Sequence, residues 1–209
     1  MSTTFLPKGG GYRNLRVYKL AEIIHDLTFI FTEKYIERGN RTKDQMIQAA
    51  RSGKQNIAEG SEASVTSKET EIKLTNVAKA SLEELLIDFE DYLRQHGSEK
   101  WDKDHPRLAL MKTYVRSRRF MDNPLEHIYK MNSGEYCNLC ITLINQATYM
   151  LRRLLETQQK QFLLEGVIKE KMYRARINYR NQILNNPTGQ TSQTCQTDPT
   201  PQSTENTEI

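Results

Sequence analysis

The stretch Gln48-Ala49-Ala50-Arg51-Ser52-Gly53-Lys54-Gln55-Asn56-Ile57-Ala58-Glu59-Gly60 stands between two long amphipathic segments. Met46, Ile47, Ala49, Ala50, Ile57 and Ala58 make a narrow apolar stripe at helical spacing. Small residues let a second helix come close, and Gly53 sits mid-helix at a cost of about 1 kcal/mol relative to Ala. A kink or a tight crossing accounts for it. The pattern predicts a helix from about Thr42 to Glu59, stopped by Gly60.

Upstream, Val17, Leu20, Ala21, Ile24, Leu27, Phe31 and Tyr35 fall at steps of three and four. They predict a first helix with Asn14 as its N-cap and Gly39-Asn40 closing it. Downstream, Ser67 caps a long third helix whose stripe is Leu74, Val77, Ala78, Ser81, Leu82, Leu85, Phe89, Tyr92 and Leu93. It runs to about Gln95, with Gly97 as the stop. Residues 98–133 are less regular. Short helices are expected at Leu108 to Phe120 and at Pro124 to Lys130. Asn132-Ser133-Gly134 then caps a fourth core helix, from about Gly134 to Thr157. Its stripe runs Tyr136, Leu139, Cys140, Leu143, Ile144, Ala147, Met150, Leu151 and Leu154. A last helix spans about Gln161 to Tyr179. Four long amphipathic helices with short links imply an all-α, antiparallel up-down four-helix bundle, with a helical insertion and a C-terminal helical extension. The organisation reads as a flexible arm at 1–13, the bundle at 14–160 with its insertion near 98–133, a basic helical suffix at 161–184 and a disordered polar tail at 185–209.

Charge is unevenly spread along the 209 residues. Residues 1–60 carry ten Lys/Arg against six Asp/Glu, and residues 61–105 carry six against eleven. Residues 106–184 carry fourteen against six, and the last 25 residues none against three. Opposite charge on different helices points to complementary subunit faces or to an anionic partner such as nucleic acid. No apolar run approaches the ~18 residues a membrane span needs. The N-terminus lacks the pattern of a secretory signal. Three cysteines fit a reducing compartment, so the cytoplasm is expected.

The segment from Gln48 to Gly60, ending in Asn-Ile-Ala-Glu-Gly, resembles the second-helix signature of the four-helix-bundle proteins first described from intervening sequences in 23S ribosomal RNA genes. Leu15-Arg16-Val17-Tyr18 resembles the opening of that family's first helix. Ser67-Lys68-Glu69 and Ala80-Ser81-Leu82-Glu83-Glu84-Leu85 resemble its third. The resemblance covers about residues 14–160, interrupted by the insertion. It implies a homo-oligomer, a pentamer packed as a ring of bundles. One branch, the accessory protein of diversity-generating retroelements, is similar in fold and implies a basic surface for nucleic acid and a reverse transcriptase as partner. This chain differs from that branch in its insertion, its suffix and its modest net charge. Glu165 to Arg176 resembles a suffix carried by a subset of these proteins.

Lys112, Arg116, Arg118 and Arg119, together with Lys169, Lys171, Arg174, Arg176 and Arg180, are the candidates for RNA or DNA binding. Guanidinium grips phosphate in two-pronged fashion, and Tyr114, Tyr173 and Tyr179 offer rings for base stacking. A solvated face, or a strip docking a protein partner or neighbouring subunit, is the competing reading. Asn56, Glu59 and Gly60 mark the signature. They read either as a polar contact across a subunit interface or as an ordinary helix terminus with Asn56 bonded locally. Cys137-x-x-Cys140 lacks the further ligands a structural metal site needs. Cys140 reads as a small core residue and Cys137 as lying beside the stripe. Glu83, Glu84, Asp88, Glu90 and Asp91 read as a solvated or interface acidic face. His25, His96, His105 and His127 are scattered, with no catalytic spacing. The expectation is a non-enzyme without metal or cofactor.

Overall fold

The computed structural model describes residues 11–165 and 168–185, with side chains described for 11–164 and 172–183. All regular structure among the described residues is helical. A 3-10 turn, Tyr12–Asn14, leads into α1 (Arg16–Tyr35), α2 (Arg41–Ala63) and α3 (Lys68–Gln95). Two shorter helices, α4 (Pro106–Arg116) and α5 (Arg118–Asp122), and a 3-10 turn at Ile128–Lys130 precede α6 (Ser133–Glu165) and α7 (Ile168–Asn185). Most of the arm at 1–13 and nearly all of the tail at 185–209 lie outside the described residues.

The chain divides into two units, Met1–Glu170 and Lys171–Ile209. In the first, α1 packs on α2 and α6, and α3 packs on α2 and α6, which closes a cycle of four helices. Their stripes meet inside. Leu20, Ile24, Leu27 and Phe31 of α1 face Met46, Ala50 and Ile57 of α2, Leu82, Leu85 and Phe89 of α3, and Leu139, Leu143, Ile144 and Leu151 of α6. Phe31 is the hub of an aromatic cluster, with ring centroids 5.1 Å from Phe89, 4.9 Å from Tyr92 and 5.4 Å from Tyr136. Tyr136 is fully buried, and its hydroxyl donates to the Leu27 carbonyl at 3.0 Å, so no buried polar atom is stranded there.

Several boundaries differ from the expected ones. Asn14 lies in the opening 3-10 turn and Leu15 is the N-cap of α1, with no side-chain bond. That helix stops at Tyr35, before Gly39, and Asn40 caps α2 instead, accepting from the Thr42 N–H at 3.0 Å. Gly60 does not end α2, which continues to Ala63 with Gly60 buried inside it. In contrast, α3 matches its expected limits. Ser67 accepts from the Thr70 N–H at 3.1 Å, and Gly97 at φ 62° lets the Ser98 N–H reach the Leu93 carbonyl at 2.9 Å.

The insertion holds two helices where one was expected at Leu108 to Phe120. Ser117 ends α4 and caps α5 by accepting from the Phe120 N–H. At Pro124 to Lys130 only the 3-10 turn forms. Asn132 and Glu135 cap α6 reciprocally, each side chain accepting from the other's N–H, at 2.8 and 3.2 Å. From there α6 runs unbroken through the expected gap at 157–161, where no Gly or Pro interrupts it. Cys137 is as fully buried as Cys140 rather than beside the stripe.

Candidate functional site

The segment joining α3 to α4 is pinned by one buried residue. Asn138 of α6 accepts from the Trp101 N–H at 2.8 Å and donates to the carbonyls of Glu99 and Gly134, each at 2.9 Å. Trp101 stacks on His105, centroids 5.1 Å apart and planes 4° apart. His105 then caps α4, its Nδ1 accepting from the Arg107 N–H at 3.2 Å, and Pro106 takes the first helical position. This chain of contacts sets where α4 lies on α6. Met111 and Val115 turn inward, while Lys112 and Arg116, one turn apart, stay exposed.

Between α4 and α6 lies a cleft of about 480 Å³. Lys100, Lys103, Lys112 and Arg116 line it, together with Trp101, Tyr149, Asn145 and Gln146, and no carboxylate does. Lys100 is bound to Glu90 at 2.6 Å. Lys103, Lys112 and Arg116 have no carboxylate within 4.0 Å among the described residues. Tyr149 is 55% exposed, with the Arg152 guanidinium 5.3 Å from its ring centroid. Unpaired cations beside a ring that is more than half exposed, with Arg152 over it, suit an anion that also carries a flat surface.

The other basic candidates are placed differently. Arg118 reaches Asp122 at 3.5 Å. Arg119 is held by both Glu126 oxygens, at 3.0 and 2.6 Å, and these bonds keep the Glu126 carboxyl below its usual range. The Tyr114 ring is half-buried against Phe120 and His127, so it does not offer itself to a base. On α7, Arg174, Arg176, Arg180, Tyr173 and Tyr179 are all exposed. The side chains of Lys169 and Lys171 lie outside the described residues. The structure thus groups Lys112 and Arg116 with Lys100 and Lys103, and leaves Arg118 and Arg119 to local ion pairs.

In the signature, Asn56 donates to the Ser52 carbonyl at 2.9 Å and to the Ser52 hydroxyl at 3.2 Å. Ser52 and Ser81 share a hydrogen bond of 2.9 Å, so Asn56 belongs to a polar seam between α2 and α3. Glu59 is exposed, and Gly60 lies against the backbone of Glu71. Cys137 and Cys140 are buried in the core, and desolvation pushes both thiols up. No group of three or more metal-binding side chains occurs among the described residues. Glu22-Ile23-Ile24-His25 is a Glu-x-x-His pair, but it lies alone on α1, with Glu22 exposed and His25 bonded to Asp26.

Lys100, Lys103, Trp101, Asn138 and Tyr149 were not among the residues the sequence singled out. The loop lysines carry no periodic signal, and Tyr149 sits off the apolar stripe. The Asn138 clamp is a contact between residues far apart in the chain. The one available hint was a lone tryptophan beside three lysines and arginines in an irregular segment. No protein-family model, no curated protein and no solved structure matches this chain.

Proposed function

We propose that this is a non-enzymatic, cytoplasmic accessory protein, an antiparallel up-down four-helix bundle that self-assembles and binds nucleic acid. The cleft between α4 and α6 carries the reading. It has four cations, no carboxylate and two aromatic residues, the chemistry a phosphodiester strand recognises. The bundle arrangement is supported by the closed cycle of helix contacts and the short α1–α2 and α2–α3 links. Assembly as a ring, with five subunits, and a reverse transcriptase as partner rest on the resemblance of residues 14–160.

Light scattering tests both halves of the proposal. A ring-sized species that gains mass with mixed-sequence RNA or DNA at low salt, and loses it at moderate salt, is the expected result. A monomer would remove the assembly, and a mass indifferent to nucleic acid would remove the binding.

A protein-docking reading is favoured by one observation on α7. Met172, Tyr179 and Ile183 are exposed, and their spacing puts them on one side of the helix. An amphipathic basic helix with a bare apolar side suits a protein groove. If α7 docks protein, replacing Met172, Tyr179 and Ile183 with Ser releases that partner or subunit and leaves nucleic-acid affinity intact.

A further inference from the structure

The geometry points to single-stranded nucleic acid, not duplex, as the occupant of the α4–α6 cleft, with an unpaired base stacked on Tyr149 and its flanking phosphates held by Lys103, Lys112 and Arg116. This rests on the nucleic-acid reading above and narrows it.

Three features decide between the strand types. First, the cleft is concave and closed along one side by α4, with about 480 Å³ inside, room for a nucleotide or two and not for a double helix. Second, its aromatic wall is useful only to a base whose face is free. A duplex hides those faces in its own stack, whereas a single strand presents them. Tyr149 is 55% exposed on the outer side of α6, just past Ile144, where the outer face of the helix opens to solvent. Third, the unpaired cations are few and close. Lys112 and Arg116 stand one turn apart on α4, roughly 6 Å at their Cβ atoms. Lys103 lies on the loop beside them. That is a grip on neighbouring phosphates of one strand, and too small a patch to span both strands of a duplex. Asn145 and Gln146 also line the cleft, and an amide both donates and accepts, so it imposes no single base and sequence preference is weak.

The chain carries its own reporter, because Trp101 is its single tryptophan and lines the cleft. Full-length protein is titrated with a thymidine oligomer of about 12 nucleotides, within the site sizes typical of strand-binding clefts. A blunt-ended duplex of matched length, formed from two complementary strands, is the comparison. Trp101 emission and oligomer anisotropy are followed together. The expected result is a saturable change in Trp101 emission with the single strand and none with the duplex. Affinity should fall about fivefold or more in Tyr149→Ala, as loss of one stacked base requires. Three phosphate contacts give a slope of about −2 in log affinity against log salt. Lys112→Ala with Arg116→Ala should flatten that slope to about −0.7, the share of one remaining contact. These three residues are exposed, so unchanged melting curves separate lost contacts from lost fold. Equal binding of the duplex with the same Trp101 response, or full affinity in Tyr149→Ala, overturns the single-strand assignment and leaves the nucleic-acid function standing. No change in anisotropy with either probe overturns both.

Discussion

Gly53 and Gly60 lie two turns apart on the same side of α2, yet a methyl group added at each meets different surroundings. At Gly53 it would fall 2.7 and 2.8 Å from the Cδ2 and Cγ of Leu82, which is wholly buried and has nowhere to go. At Gly60 the nearest atoms are 3.4 Å away, ordinary contact. Helix propensity favours Ala at both positions by about 1 kcal/mol, but overpacking at Gly53 costs about 1–3 kcal/mol. Gly53→Ala should therefore lower unfolding free energy by up to about 2 kcal/mol, while Gly60→Ala leaves it unchanged or raises it by up to about 1 kcal/mol. Urea melts of the two variants measure this directly. The sequence pointed to a kink or a tight crossing at Gly53 and a helix stop at Gly60. The fold contains the tight crossing and not the stop, because a glycine inside a helix and a glycine after one look alike until the partner helix is placed. The cysteines show the same limit in reverse: their CxxC spacing invites redox chemistry, but burial raises both thiols, and an alkylating reagent should label them only as fast as the chain unfolds.

At the scale of the element, α3 carries a cost along its acidic side. Asp88 is raised from 3.8 to about 6, first by burial and then by Glu84 and Asp91. It lines a cleft that it shares with Glu37, Asp91 and His96. A carboxyl whose folded pKa exceeds its unfolded one binds protons more tightly when folded. Its favourable contribution is therefore full below about pH 4 and is lost as pH rises toward 6. Asp88→Asn should flatten the stability profile between those limits and melt higher than the parent at pH 7. Thermal melts across that range would show it, and a parallel decline in both proteins would refute it. In the insertion, Arg119 is spent on Glu126 and Arg116 is not. Arg119→Ala should leave nucleic-acid affinity unchanged, while Arg116→Ala reduces it. Helix existence and the core stripes were legible from apolar spacing, since burial selects the same positions that periodicity reveals. Helix ends were less so. Ser117 splits α4 from α5 by capping in both directions, and α6 continues through 157–161 because nothing there prevents it.

Across the whole molecule, the excess of cations in residues 106–184 is thinned by local pairing. Arg107 binds Glu135, Arg118 binds Asp122, Arg119 binds Glu126 and Arg153 binds Glu156. Among the described residues of that stretch, Lys112, Arg116, Lys130, Arg152, Lys160, Arg174, Arg176 and Arg180 keep no ion pair; Lys112 and Arg116 stand together at the α4–α6 cleft, and the last three lie on α7. The sequence could register that excess but could not say which charges were spent, because each pairing depends on where the helices lie. Among the described residues, the buried apolar core lies between Val17 and Leu151, inside the first unit. A chain ending at Glu170 keeps every described core residue and the whole cleft, so it should melt as the full-length protein does. Its nucleic-acid binding then separates the two basic surfaces. Each phosphate contact on a single strand contributes about −0.7 to the slope of log affinity against log salt. If the cleft alone binds, both chains share one slope. If Arg174, Arg176 and Arg180 also engage the strand, the full-length slope is steeper by up to about 2, and the truncated chain binds more weakly at low salt while converging with the full-length chain at high salt. A truncated chain with unchanged slope but reduced mass in solution would instead assign α7 to the contact between subunits, and would leave strand binding to the cleft.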